Sequence, residues 1–416
     1  MSNDYLALYT FCEGGAPKRN SNFNGAKIHE FIGSLPSLRY LNLSYNWFYG
    51  RVSPQIGNLS KLTYLDLKPS NSFSLQLYSG DVRWLSHLSS LQHLDLSHMN
   101  LTAAVDWVHQ INMLPALRKL YLQYTGSRNR VAFPGQSNLT ALEVLDISGN
   151  NFSTTISPNW FWNTTSLTFL NLKGCNFQGP IPGSIGNMTS LEQVCFQRNN
   201  LMATMIPEGG APKRNSNFNG AKIPKFKGSL PSLRYLNLSY NWFYGRVLPQ
   251  IGNLSKLTYL DLKPSDSFSL ELYSGDVHWL SHLSSLQHLD LSHMNLTAAV
   301  DWVHQINMLP ALRKLYLQYT GIRNRVAFPG QANLTALEVL DILGNNFSTT
   351  ISPNWFWNTT SLTFLNLEGC NFQGPILDSI GNMTSLEQVY FQRNNLMATM
   401  IPYGFRNLCI LKITLY

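Results

Sequence analysis

The strongest constraint on this chain is a leucine pattern that returns about every 25 residues. In the stretch LPSLRYLNLSYNWFYGRVSPQIGNL, leucines stand at positions 35, 38, 41 and 43, and Asn46 and Ile56 follow. The pattern starts again at 59, 88, 114, 139, 164 and 188, in steps of 24, 29, 26, 25, 25 and 24 residues. One such segment cannot bury its leucines alone, so the pattern predicts stacked repeats with a shared core.

This spacing is that of leucine-rich repeats. Leu41 and Leu43 stand two apart, so they point to one side of a short strand while Asn42 and Ser44 point to the other. We therefore predict an α/β solenoid, a leucine-rich-repeat horseshoe. Its parallel sheet would form the concave face, and short helices or 3-10 turns would form the convex face.

Two longer repeats predict short convex helices. The first is SGDVRWLSHLSSL and the second is TAAVDWVHQINML. Apolar residues recur in them at helical spacing. We expect these residues to belong to the core: Trp84, Leu85, Leu88, Val105, Val108 and Ile111.

An asparagine slot follows each strand. Asn46, Asn150 and Asn199 occupy it, and we expect their side chains to hydrogen-bond backbone groups of neighbouring turns. The slot changes to Cys175 and Cys370 in one repeat of each half. These cysteines are therefore predicted to be buried members of the same row and not reactive thiols.

The chain is also a tandem duplication. Residues 13–207 align with residues 208–402 without a gap, and by direct comparison 14 positions differ, among them Ser148/Leu343 and Lys173/Glu368. We predict an irregular segment at 1–30, a first array of about seven units at 31–207, a seam loop at 208–228, a second array of about seven units at 229–402, and a truncated repeat at 403–416. Both a continuous sheet across the seam and a second, kinked solenoid stay open, and we favour the continuous sheet.

The composition limits the classes of function that the chain can have. Only 12% of residues are charged, and the net charge of +8 comes from scattered basic residues, which argues against a nucleic-acid surface. Five cysteines, none in a CxxC pair, support neither a disulfide framework nor a zinc site, and we expect no metal or cofactor. The start MSNDYLALYTFCEGG does not read as a signal peptide, and no apolar run is long enough for a membrane span.

Several motifs resemble one family. The stretch FQGPIPGSIGNMTSL carries the GxIP mark of plant extracellular leucine-rich repeats. Further stretches, such as SNLTALEVLDISGNNFSTTISPNWFWNTTSL, resemble the ectodomains of grass receptor-like proteins of the disease-resistance type. The resemblance implies a protein of the plasma membrane or extracellular space that recognises microbial or self-derived ligands and signals through partner kinases. The chain departs from the family at its flanks, where signal, cysteine-paired cap and anchor are not recognisable.

We therefore predict a non-enzymatic ligand-recognition module of plant immunity or development. It would bind a peptide, glycan or protein on the concave face, with a co-receptor kinase as a second partner. One alternative is a soluble apoplastic inhibitor resembling polygalacturonase-inhibiting proteins. Another is a truncated duplicate without a function of its own.

Aromatic side chains on the concave face are the candidate ligand contacts, because rigid aromatic residues bury much area at low entropic cost. His93, Asp95 and Ser97 alternate on one strand, but residues two apart stand roughly 6.6 Å from each other, too far for a catalytic triad. The candidate contacts are Tyr40, Tyr64, His93, Tyr121, Phe169, Tyr235, Tyr259, His288, Tyr316 and Phe364.

Glycosylation sequons are frequent. Each copy carries seven, where chance would give about three. Asn42 is the weakest candidate because it lies in a predicted strand. The predicted acceptors are Asn58, Asn100, Asn138, Asn151, Asn163 and Asn187 in the first copy, and Asn253, Asn295, Asn333, Asn346, Asn358 and Asn382 in the second.

Overall fold

A computed structural model describes residues 27–70, 77–128, 137–201, 230–265, 272–323, 333–351, 354–376, 378–397 and 412–414. The chain divides into two compact units, Met1–Thr154 with Pro158–Phe177, and Thr155–Ser157 with Gln178–Tyr416. The predicted seam loop at 208–228 and residues 1–26 of the predicted N-terminal segment lie outside the described residues.

In the first unit, six three-residue strands form a parallel sheet in chain order. Each central leucine faces the central leucine of the next strand, as Leu41 faces Leu65. The strands are β1 Tyr40–Asn42, β2 Tyr64–Asp66, β3 His93–Asp95, β4 Lys119–Tyr121, β5 Val144–Asp146 and β6 Phe169–Asn171.

In the second unit, nine described strands form a parallel sheet in chain order. They are β7 Gln193–Cys195, β8 Tyr235–Asn237, β9 Tyr259–Asp261, β10 His288–Asp290, β11 Lys314–Tyr316, β12 Val339–Asp341, β13 Phe364–Asn366, β14 Gln388–Tyr390 and β15 Lys412–Thr414. The boundary between the copies falls between β7 and β8, which pair in parallel with Val194 opposite Leu236. The favoured continuous sheet is therefore observed at the seam.

The chain returns from each strand to the next through short segments. Two α-helices are present in the described residues, α1 Trp107–Asn112 and α2 Trp302–Asn307. Elsewhere the return segments contain 3-10 helices at Glu30–Ser34, Pro54–Asn58, Arg83–His87, Trp160–Asn163, Gly183–Asn187, Pro249–Asn253, His278–His282, Trp355–Asn358 and Asp378–Asn382. Two-residue parallel strands pair Gly50–Arg51 with Leu77–Tyr78, Gln178–Gly179 with Asn200–Leu201, Gly245–Arg246 with Leu272–Tyr273, and Gln373–Gly374 with Asn395–Leu396.

The core lies between the sheet and these return segments. The strand leucines, such as Leu41 and Leu65, are fully buried, and each contributes roughly 2 kcal/mol of hydrophobic stabilisation. The predicted core residues Trp84 and Ile111 are also buried. The assignment of Val105 to the core was wrong: it is exposed in the turn that precedes α1.

The predicted bonding of the asparagine row to a neighbouring turn is confirmed at Asn150, whereas the exposed Asn46 donates to the carbonyls of Leu43 and Ser44 in its own turn. Asn150 is buried, donates from Nδ2 to the carbonyls of Leu122 and Ile147, and accepts from the backbone N–H of Thr125. Cys175 is likewise buried, and its thiol contacts the carbonyl of Ile147 at 3.1 Å. Burial raises the pKa of the Cys175 thiol well above its usual value, so this position is structural.

Candidate ligand-binding surface

The face of each sheet that lies opposite the leucine core is here called the open face, and it corresponds to the predicted concave face. Its first column in the first unit is the register-aligned series Tyr40, Tyr64, His93, Lys119, Val144 and Phe169. Its second column is Asn42, Asp66, Asp95, Tyr121, Asp146 and Asn171. The alternation within three-residue strands places both columns on one face.

Four predicted contacts come together in an aromatic ladder, defined as Tyr40, Tyr64, His93 and Tyr121. The ring centroids of Tyr40 and Tyr64 lie 4.2 Å apart and those of Tyr64 and His93 4.1 Å apart, both stacked. Tyr121 leans on His93 at 5.4 Å with a tilt of 44°. Tyr40 is 45% exposed, and the other three rings are half-buried.

The second unit repeats this ladder as Tyr235, Tyr259, His288 and Tyr316. The successive centroid distances are 4.1, 4.1 and 5.4 Å. None of the 14 differences between the copies falls on a ladder residue. The ladder geometry is therefore a property of the repeated sequence.

Two predicted contacts lie outside the ladders. Phe169 is separated from His93 by Lys119 and Val144 in the first column. Phe364 stands at the equivalent place and contacts Tyr390 at 5.6 Å between ring centroids. Tyr390 replaces Cys195 of the first copy, so this second aromatic pair is specific to the second copy.

The ladders carry no charge near neutral pH. Burial, with the nearby Asp66 carboxylate, raises the pKa of Tyr64 well above its usual value, so its hydroxyl stays protonated. Burial, with the nearby Lys314, lowers the pKa of His288 to about 4, so its imidazole is neutral. Each ladder thus offers hydroxyl and imidazole groups that can hydrogen-bond without charge.

Four carboxylates of the second column are buried: Asp66, Asp146, Asp261 and Asp341. Each accepts a hydrogen bond from the backbone N–H two residues further on, as Asp66 does from Lys68 at 3.0 Å. This local turn draws the carboxylate back toward its own chain.

The residues of the apparent catalytic triad, His93, Asp95 and Ser97, bond and stack with other groups. Asp95 accepts from the backbone N–H of Ser97 at 2.8 Å, and the hydroxyl of Ser97 accepts from the backbone N–H of Gln123. The ring of His93 belongs to the ladder. The three residues therefore serve turn and stacking contacts.

A second row of exposed and half-buried side chains was not predicted. We call it the edge strip: Tyr45, Lys68, His98 and Tyr124 in the first unit, and Arg198, Tyr240, Lys263, His293 and Tyr319 in the second. Its members lie in the turns just after the strands. The available signal was a bulky residue such as Tyr45 directly before the asparagine position, where other repeats carry Gly149 and Gly174. Lys68 and Lys263 stand one residue earlier in their repeats.

The twelve predicted acceptors lie away from the open face, in the segments between the strands. The side chains of Asn58, Asn138, Asn151, Asn163 and Asn187 are exposed, as are those of Asn253, Asn333, Asn346 and Asn382. Asn100 and Asn295 are half-buried, and Asn358 ends a 3-10 helix. By contrast Asn237, the second-copy partner of Asn42, is buried in β8.

We expect glycosylation to follow this exposure. The chain can be expressed in a plant host with an added signal sequence that directs its secretion. Asn58, Asn163 and Asn187 should then carry glycans, while Asn237 should not, because its amide is buried. Peptide mass spectrometry after glycan release measures each site. A glycan on Asn237, or bare asparagines at the three exposed sites, would contradict the expectation.

Models of the leucine rich repeat family match four segments, residues 37–59, 133–177, 232–254 and 326–372. The chain is 38% identical to the receptor-like protein EIX1 of Solanum lycopersicum over 183 residues, which is 43% of this chain and 17% of that protein. It is 29% identical to receptor-like protein 41 of Arabidopsis thaliana over 85% of this chain and 41% of that protein. The chain thus spans less than half the length of these relatives.

Solved structures share the fold. One is the ectodomain of the plant membrane receptor kinase GASSHO1/SCHENGEN3 from Arabidopsis thaliana, solved in complex with CASPARIAN STRIP INTEGRITY FACTOR 2. It superposes on this chain with a TM-score of 0.70 at 23% sequence identity, and the match covers 94% of this chain and 42% of that chain. The Arabidopsis receptor kinase HAESA, in complex with the peptide hormone IDA and the co-receptor SERK1, gives 0.65 at 22% identity, over 92% and 63%. These likenesses confirm the predicted repeat fold. In the described ranges, no helix is long and apolar enough to cross a bilayer.

Proposed function

Because the chain is a leucine-rich-repeat protein similar to plant receptor-like proteins, we propose that it is a non-enzymatic recognition module of a plant cell-surface receptor. Each unit carries one aromatic ladder, and the ligand is an extended peptide segment that lies across one such ladder of the open face. A co-receptor kinase is the second partner, by analogy with HAESA, whose complex contains both a peptide hormone and a co-receptor.

The stacking within the ladders is the observation that favours a peptide ligand over a glycan. A sugar ring binds an aromatic side chain mainly through the open face of the aromatic ring. In the ladder, Tyr64 is stacked between Tyr40 and His93 at about van der Waals separation, so its two faces are already occupied. Ring edges and hydroxyl groups remain for a ligand, and these suit the amides and side chains of a polypeptide.

Burial and charge agree with this choice. The ladders are neutral, and the neighbouring carboxylates Asp66 and Asp261 are buried and bonded to their own backbone. A neutral surface of this kind does not depend on ionic attraction, so apolar contact and hydrogen bonds supply the affinity. Enzymatic turnover is not part of the proposal, because the candidate triad serves turn and stacking contacts.

The test uses short random peptides displayed on phage and selected against the full chain. A selected peptide should bind the Tyr64→Ser, Tyr259→Ser double variant about tenfold more weakly, because each substitution opens its ladder in the middle. The matched control is Tyr78→Thr with Tyr273→Thr, which removes two exposed tyrosines from strands outside the main sheets. Titration calorimetry measures the dissociation constants.

Three outcomes would contradict the proposal of a peptide ligand. One is the absence of selected peptides that depend on the ladder. Another is equal weakening by the ladder and control variants. The third is tighter, ladder-dependent binding of a neutral oligosaccharide such as chitohexaose than of any selected peptide.

A further inference from the structure

Backbone strain singles out the edge strip. Tyr45, His98 and Tyr124 have φ values of 57°, 64° and 51°, in the left-handed region that costs a residue with a side chain roughly 1–2 kcal/mol. Gly149 and Gly174 occupy the same turn position with φ of 69° and 62°. Glycine therefore satisfies this backbone, and the bulky residues are present in spite of it.

The strained side chains are not core residues. Tyr45 is 67% exposed and Tyr124 is 51% exposed, and the second unit shows the same for Tyr240 at 41% and Tyr319 at 44%. The residues are identical in both copies, and so is their conformation, with φ of 53° at both Tyr240 and Tyr319. Strain at exposed aromatic residues is a common property of binding surfaces.

Cations accompany these tyrosines. The ammonium group of Lys68 lies 5.3 Å from the ring centroid of Tyr45. In the second unit the ring of Tyr240 lies near both the guanidinium of Arg198, at 5.7 Å, and the ammonium of Lys263, at 5.6 Å. Each of these cations is held close to a ring while it stays near the surface, ready to meet an anion.

The charges along the strip have one dominant sign. In the first unit, the two residues before each asparagine slot include Lys68 and Lys173 and no acidic residue. In the second unit the only acidic residue of this kind is Glu368, and it forms a salt bridge with Arg393. The exposed turn positions are therefore mainly cationic, while the buried carboxylates Asp66 and Asp261 lie close to Lys68 and Lys263 in the neighbouring column. An acidic segment is the complement of the cations that reach the surface.

The ring faces again limit the type of partner. His98 and Tyr124 stack at 5.3 Å, and the Tyr124 ring lies against Gly149, where an added Cβ would come within 2.4 Å of it. Cations cover Tyr45 and Tyr240. Hydroxyl groups, ring edges and cationic groups are left, and these match carboxylate side chains better than stacked sugars.

We propose that the edge strip is a docking surface for an acidic segment of a partner protein, separate from the ligand on the open face. In the second unit the carboxylates of that segment bind Arg198 and Lys263, on either side of Tyr240. In the first unit Lys68 beside Tyr45 offers an equivalent site of its own. The tyrosine rings hold these cations in place and contact the segment through their edges and hydroxyl groups.

The test measures binding of a fluorescein-labelled peptide of alternating glutamate and glycine to the full chain, by fluorescence anisotropy at low ionic strength. Lys68→Gln with Lys263→Gln should weaken binding at least fivefold. The matched variant, Lys61→Gln with Lys256→Gln, removes the same charge from exposed turns off the strip and should change binding less than twofold. A fivefold loss in both variants would mean general attraction to a basic protein and would overturn the proposal.

A second variant separates binding from folding. Tyr45→Gly with Tyr240→Gly removes both rings and relieves both left-handed residues, so the thermal midpoint should stay the same or rise while peptide binding weakens several-fold. A fall in the midpoint by several degrees would show that the tyrosines serve the fold and would overturn the proposal. Tighter, strip-dependent binding of an oligogalacturonate of the same charge would replace the protein partner with a polysaccharide.

Discussion

Replacing Asn241 with alanine should destabilise the chain by roughly 3 kcal/mol, because three buried backbone groups lose their partner at once. Asn241 is 1% exposed, donates from Nδ2 to the carbonyls of Phe196 and Leu238, and accepts from the backbone N–H of Leu201. Two of these partners belong to the last repeat before the copy boundary. Urea denaturation followed by circular dichroism measures the loss.

The chain supplies its own control for this prediction. Asn46 is the same residue of the first copy, 195 positions earlier, and it donates to the carbonyls of Leu43 and Ser44 in its own turn, as Asn241 does to those of Leu238 and Ser239. It is exposed, so water can replace those bonds, and Asn46→Ala should cost less than about 1 kcal/mol. Equal effects at the two positions would contradict the view that Asn241 ties the repeats together across the boundary.

The sheet and its register were predictable because the leucine pattern leaves little freedom. A shift of one residue in β2 would turn Leu65 toward solvent and Tyr64 toward the core. Both open-face columns follow from that constraint, and so does the placement of the ladder residues. The pairing across the seam was favoured but not decided by the sequence, because the step of 42 residues from Met188 to Leu230 also allows a second solenoid. In the structure Leu233 and Leu236 resume the pattern that Leu191 and Val194 leave.

The unpredicted features depend on details that the repeat pattern does not encode. The left-handed conformation of Tyr45 depends on a turn that usually favours glycine, and nothing in a tyrosine indicates it. The burial of Asp66 depends on the local bond to the backbone of Lys68. Val105 fits a helical stripe, but α1 begins two residues later, so that Trp107 takes the core position instead.

Ligand contact remains a prediction for all ten candidate residues, and the structure groups only some of them together. It joins eight of them in two ladders and leaves Phe169 and Phe364 apart. The divergence between the copies is informative here. Tyr390 beside Phe364 stands where the first copy has Cys195, while the ladder residues are the same in both copies, so the copies differ on their seventh strand and agree on their first four.

Asp261→Asn should stabilise the chain by roughly 2 kcal/mol at pH 7.5 and leave its stability unchanged below pH ~3.5. Burial, with the neighbouring Asp290 carboxylate, raises the pKa of Asp261 to about 6. A carboxyl group whose pKa is higher in the folded state favours folding while it is protonated. That contribution is present below about pH 4 and is lost as the pH rises to about 6.

Asparagine can take over the hydrogen bond that Asp261 makes. Asn237 occupies the same column on the adjacent strand and accepts from the backbone N–H of Ser239 at 3.0 Å, as Asp261 accepts from that of Lys263 at 3.1 Å. The reciprocal variant Asn237→Asp places a second buried carboxylate beside Asp261, so it should destabilise the chain at pH 7.5 and less so in acid. Urea midpoints across pH 3.5–7.5 distinguish the cases. If Asp261→Asn destabilises the chain equally at every pH, the prediction is wrong. The Asp261 carboxylate would then stabilise the fold through its hydrogen bonds, and its ionisation would not cost stability.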